Sequence, residues 1–129
     1  GWVSDESGLS GTRFILYGPI IQGQAFRNNV NLITQDLSGQ NIDLAKYVEI
    51  STGQIKEFIA SSNVLYSQTE NSRHKIVYTG MYGEYSLQWT QYYWVKNNKA
   101  YVLTYTADKK SNDDTISLAT QIMDTFKIK

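Results

Sequence analysis

From Asn29 to Gln35 the chain alternates. Val30, Leu32 and Thr34 fall on one side, and Asn29, Asn31 and Ile33 on the other. A period of two predicts a strand. Upstream, Thr12 to Gly18 (TRFILYG) is a short apolar run ended by Gly-Pro, which predicts another strand. A loop from Pro19 to Arg27 joins them. The period then lengthens. Leu44, Tyr47, Val48, Ser51, Ile55, Phe58 and Ile59 recur at helical spacing. Asn41 or Asp43 can cap this helix by accepting a backbone N–H. Ser51-Thr52-Gly53 is a weak centre at which it can bend or split, and Ser61, Ser62 and Asn63 are expected to end it.

Four strand-like runs follow: Val64–Thr69, Lys75–Tyr82, Tyr85–Lys96 and Lys99–Ala107. Asn97-Asn98 and Gly83-Glu84 predict tight hairpins, because Asn and Gly accept positive φ. Successive hairpins make an antiparallel meander. In Tyr85–Lys96, Leu87, Trp89, Tyr93 and Val95 share one face; Gln88, Thr90, Tyr92 and Trp94 share the other. In Lys99–Ala107, Tyr101, Leu103 and Tyr105 oppose Val102, Thr104 and Thr106. Neither face is plainly polar, whereas a sheet open to water on one side alternates cleanly. Both faces are therefore expected to be covered at least in part.

The end of the chain supplies one cover. Ser111 and Asp114 have capping-box-like spacing, and Asp113 and Asp114 suit the positive end of a helix dipole. Leu118, Ala119, Ile122, Met123 and Phe126 then form an apolar stripe, with Phe126 and Ile128 as anchors. Two helices and a meander make an α+β sandwich. With 129 residues and no linker, repeat or low-complexity tract, residues 1–129 read as a single domain.

Composition narrows the chemistry. The absence of cysteine excludes disulfides, thiolate metal sites and a cysteine nucleophile. Twelve basic residues balance twelve acidic ones, which argues against nucleic acid and against attraction to anionic membranes. The longest nearly apolar stretch, Phe14 to Ile21, is far short of the roughly 20 residues of a membrane span. Ten tyrosines, three tryptophans and four phenylalanines are a heavy aromatic load. Tyrosine suits a half-buried sheet or a binding face. The plentiful uncharged polar residues are common in exported proteins. The chain starts abruptly at Gly1-Trp2, which implies a preceding segment.

Candidate chemistry is sparse. His74, the sole histidine, becomes a general base only if a serine and a carboxylate such as Glu49, Glu57 or Glu84 meet it. Between Arg73 and Lys75 it reads instead as part of a solvated turn. Asp113-Asp114, with Asp108, lack the ligand periodicity of a calcium loop and read as helix caps. Gly80-Met81-Tyr82-Gly83 lacks the lysine and helix of a phosphate loop and reads as a hairpin or bulge. No catalytic group, cofactor or metal site is assigned. The richest cluster is Tyr82, Tyr85, Trp89, Tyr92, Tyr93 and Trp94, half of which the core requires. If the remainder form a site, Tyr92 and Trp94, with Tyr82, are the residues expected to carry it, because Leu87, Trp89 and Val95 mark the opposite face as core.

The residues "GW" at Gly1-Trp2, "NNVNLITQDL" at Asn28–Leu37, "KAYVLTYTA" at Lys99–Ala107 and "QIMDTFKI" at Gln121–Ile128 occur in an order and spacing that resemble the PsbP-like fold family. That family includes the PsbP subunits of photosystem II and the Mog-type Ran-binding factors. The chain most resembles its bacterial branch of small, often exported domains. The resemblance implies a three-layer sandwich, a central antiparallel sheet flanked by helices. It implies binding or assembly rather than catalysis. No residues here match a Ran-binding surface, a photosystem attachment motif or a metal-ligand cluster. The reading is a non-enzymatic domain, exported to the periplasm or cell envelope, which binds or helps assemble a protein partner. A lipid anchor ahead of Gly1 belongs to that expectation. The alternative is a small-molecule binder with a pocket between the sheet and the Leu44–Ile59 helix.

Overall fold

The computed structural model describes residues 3–5, 14–17, 28–108 and 120–124. Seven strands form one antiparallel sheet: β1 (Val3–Asp5), β2 (Phe14–Tyr17), β3 (Asn29–Asp36), β4 (Ala60–Glu70), β5 (Arg73–Tyr82), β6 (Tyr85–Lys96) and β7 (Lys99–Asp108). Their order is β1-β2-β3-β7-β6-β5-β4. Helix α1 (Leu44–Phe58) carries the chain from β3 in the middle of the sheet to β4 at one edge, and three hairpins bring it back to β3's side.

The hairpins follow from local chemistry. Asn97 and Asn98 both take positive φ, 53° and 59°, between the paired Lys96 and Lys99. Asn71 and Ser72 do the same, at 54° and 64°, between the paired Glu70 and Arg73. A two-residue turn with both φ values positive matches the right-handed twist of the strands. Gly83, at 61°, opens the third turn between Tyr82 and Tyr85.

Asp43 caps α1: its backbone is extended and its carboxylate accepts the Lys46 N–H at 2.8 Å. The helix runs unbroken through Ser51-Thr52-Gly53. It stops earlier than its sequence suggests. Ile59 is already extended, and Ala60 pairs with Met81, so Ser61, Ser62 and Asn63 belong to β4 rather than to a helix end. Sheet pairing at the edge outcompetes the last helical turn there. Irregularities at Ala60/Asn63 and Val64/Tyr66 bend this edge strand, as bulges do.

Both sheet faces carry a core. On one, Ile76, Tyr78, Leu87, Trp89 and Tyr93 pack with Ile55 of α1, with Leu44, Tyr47 and Val48 at the margin. On the other, Val30, Leu32, Tyr92, Leu103 and Tyr105 pack with Met123. Residues 120–124 are helical, so this second cover is the end of the chain, as the Ile122–Met123 stripe predicts. Ser111, Asp113, Asp114, Leu118, Ala119, Phe126 and Ile128 lie outside the described residues. The sheet is thus the middle layer of an α+β three-layer sandwich.

Candidate functional site

Cross-strand register assembles the site. His74 pairs with Tyr93, Tyr93 with Val102, and Val102 with Ile33. The next row on the same face runs Ile76, Gln91, Thr104 and Asn31. α1 lies over the β4–β5–β6 half of this face, and beside it opens a cleft of about 320 Å³. Ile33, Val102, Tyr93, Gln91 and Tyr78 make its floor. Tyr47, Ser51, Gln54, Ile55 and Phe58 reach it from the helix.

Hydrogen bonds fix that floor. Tyr93 donates its hydroxyl hydrogen to Gln91 Oε1, and Gln91 Nε2 donates to Thr104 Oγ1 at 3.2 Å. The Tyr47 ring stands edge-on to Tyr93 with centroids 5.7 Å apart, and its hydroxyl donates to Gln35 Oε1 at 3.2 Å. Tyr78 stacks on Trp89 at 5.0 Å. Burial pushes the Tyr47, Tyr78 and Tyr93 hydroxyls above the ordinary tyrosine range, so all three stay protonated. No charged side chain lines the cleft among the described residues. At its mouth Ile33 is 40% exposed and Phe58 72%. The helical stripe suggests that Phe58 packs inward; the early end of α1 leaves it in solvent instead.

His74 departs from the solvated turn its neighbours suggest. It is 5% exposed, on the same face as Ile76 and Tyr78, and stacks on Tyr93 with centroids 6.1 Å apart. Its Nε2 meets Ser67 Oγ at 2.8 Å and its Nδ1 meets Thr69 Oγ1 at 2.7 Å. Burial holds its pKa below the ordinary histidine value. Ser67 with His74 is half of a nucleophile–base arrangement. The orienting position is held by a hydroxyl, which cannot stabilise an imidazolium as a carboxylate does. Glu49, Glu57 and Glu84 are not among its hydrogen-bond partners. Glu49 pairs with Lys46 at 3.7 Å instead.

The three aromatic residues singled out by sequence fall in two places. Tyr92 and Trp94 lie together, ring centroids 6.0 Å apart, on the face covered by residues 120–124. Tyr92 is only 1% exposed; its hydroxyl donates to Asp124 Oδ1 at 2.9 Å, and the Arg73 guanidinium sits 4.1 Å from its ring centroid. Burial, with the Asp124 carboxylate, pushes the Tyr92 hydroxyl up to about 12. Trp94 is partly buried against the same core. The face that carries them is therefore a core in its own right, alongside the one beneath α1.

Tyr82 lies at the other end of the β5–β6 hairpin, 64% exposed and paired with Tyr85. Tyr92 is seven residues further along β6 than Tyr85, roughly 24 Å away at a strand's rise. Tyr82 and Tyr85 also share the α1 face, by their alternation with Tyr78 and Leu87. Phe58 ends α1 two residues before Ala60, which pairs with Met81, next to Tyr82. Two exposed aromatic residues, Tyr82 and Tyr85, thus sit at one end of the α1 face, while Phe58 lines the cleft.

Among the described residues no group of three His, Cys, Asp or Glu side chains could hold a metal ion, and no helix is long and apolar enough to cross a membrane. No protein-family model and no curated protein matches the chain. Solved structures do. PA94 of Pseudomonas aeruginosa, a protein of unknown function, superposes with a TM-score of 0.78 at 14% identity, over 100% of this chain and 85% of that one. Cyanobacterial PsbP from Synechocystis superposes with a TM-score of 0.63 at 14% identity, over 100% and 82%. The fold is PsbP-like, as the sequence resemblance implies.

Proposed function

We propose that residues 1–129 work as one non-enzymatic, exported domain that binds a protein partner at the cell envelope, helping to assemble or hold it there. The observation that carries this reading is the exposed aromatic end formed by Tyr82 and Tyr85. Aromatic rings presented by a rigid sheet, with polar neighbours around them, are the usual anchors of protein interfaces. Tyr82 is the leading anchor. Trp94 is a second contact, which a partner reaches at the rim of the opposite face, and Tyr92 acts beneath it by holding its ring. The partners of His74 among the described residues are the Ser67 and Thr69 hydroxyls, an arrangement that fits a structural role for this ring. A surface chemistry rich in uncharged polar residues and the PsbP-like fold support export, with a lipid anchor as the simplest tether.

The test is recovery of partners from envelope extracts by the tagged full-length protein and by Tyr82→Ser. Loss of a central aromatic anchor is expected to cut recovery of a specific partner by about tenfold or more. Equal recovery by both would remove this end of the sheet from the proposal.

A further inference from the structure

The cleft beside α1 is separate from the hairpin end and makes its own case. We infer that it is a binding site for a small neutral molecule, mainly apolar and carrying one hydrogen-bonding group at its outer end. Its volume of about 320 Å³ has room for roughly ten waters and falls at the small end of ligand sites, which run from about 300 to 1,000 Å³. Its floor is preorganised, because Gln91 is held at both ends, by Tyr93 and by Thr104. A floor already in place spares a ligand the cost of ordering it.

The lining decides the class. Tyr78, Tyr93, Val102 and Ile33 supply apolar surface, and Ser51 and Gln54 supply polar groups from the helix. Among the described residues no Lys, Arg, Asp, Glu or His lines the cleft, so an ionised ligand would lose its hydration without gaining a counter-charge from them. The three tyrosine hydroxyls stay protonated and offer no anion to a cation. A neutral molecule enters without that penalty.

The experiment is a fluorescence titration of the whole protein with N-phenyl-1-naphthylamine, a neutral apolar probe. The anionic 8-anilinonaphthalene-1-sulfonate serves as comparator. The neutral probe is expected to saturate at one per chain, with the anion at least tenfold weaker. Gln54→Trp, on the exposed helix surface, should block the mouth and weaken the neutral probe at least tenfold. Ile33→Asp should weaken it similarly by placing a charge on the wall. Leu65→Ser, which removes an exposed apolar residue outside the cleft, should change nothing. Unsaturable binding, equal binding of both probes, or loss of binding in Leu65→Ser but not in Gln54→Trp would each overturn the assignment. The partner reading would survive any of them, since it rests on Tyr82 and Tyr85.

Discussion

Tyr82 and Tyr85 face each other across the tight turn at Gly83, and both stay exposed at the end of the sheet. Direct cross-strand neighbours on one face hold their Cβ atoms about 5 Å apart. The pair therefore presents a single aromatic surface on a stiff hairpin. Tyr82, 64% exposed, is the ring of the pair that lies furthest outside the core.

It follows that Tyr82→Ser should leave stability within about 0.5 kcal/mol of wild type, the range of ordinary surface changes. Urea midpoints check this, and the same samples serve for partner recovery. A midpoint loss as large as that of a core truncation would mean that Tyr82 holds the fold together.

The other end of the hairpin is structural. Tyr92→Phe removes the hydroxyl bond to Asp124 and should cost about 1 kcal/mol. Met123→Ala empties a fully buried site beneath residues 120–124 and should cost about 2–5 kcal/mol. Equilibrium unfolding separates the two. A negligible loss in Met123→Ala would show that the C-terminal helix does not seal this face.

His74 sets an acid limb of stability. Burial lowers its folded-state pKa, while the unfolded chain has the ordinary value near about 6.5. Between those values the unfolded state binds more protons, so stability is complete above about pH 6.5 and falls as pH drops through the window. Urea unfolding at a series of pH values should show wild type losing more stability on acidification than His74→Gln. Parallel curves for the two proteins would contradict the burial of this ring.

Ser72 pays for its turn. It sits at φ 64°, where a side chain is strained, with nothing but hairpin geometry to require it. Ser72→Gly should raise stability by about 0.5 kcal/mol, the relief of strain less the entropy glycine loses. A lower unfolding midpoint would show that the Ser72 side chain contributes more than the strain it bears.

Much of this architecture is legible in the sequence because its signals are local. Asn97-Asn98 and Gly83-Glu84 mark their turns, and the run Tyr85–Lys96 is β6 from end to end. Alternation along β6 correctly separates Leu87, Trp89 and Tyr93 from Tyr92 and Trp94. The end of α1 is not legible, since Ser61-Ser62-Asn63 suits a helix terminus as well as a bulged edge strand. Charge on Arg73 and Lys75 hides the burial of His74, although its alternation with Ile76 and Tyr78 carries the signal. Separation of Tyr82 from Tyr92 was implicit in the Gly83 turn, which fixes the pairing. The cleft had no such cue. Ile33 and Val102 reach it only because β3 pairs with β7, some 70 positions further along the chain, and no local pattern announces that partner.

The most direct test is site-specific photocrosslinking in cells, with a benzophenone amino acid placed at position 82, at position 85, or at the control position 65. The account predicts one discrete adduct, to the same protein, from positions 82 and 85 and none from 65. No adduct from either tyrosine position, or the same adduct from all three, would contradict it.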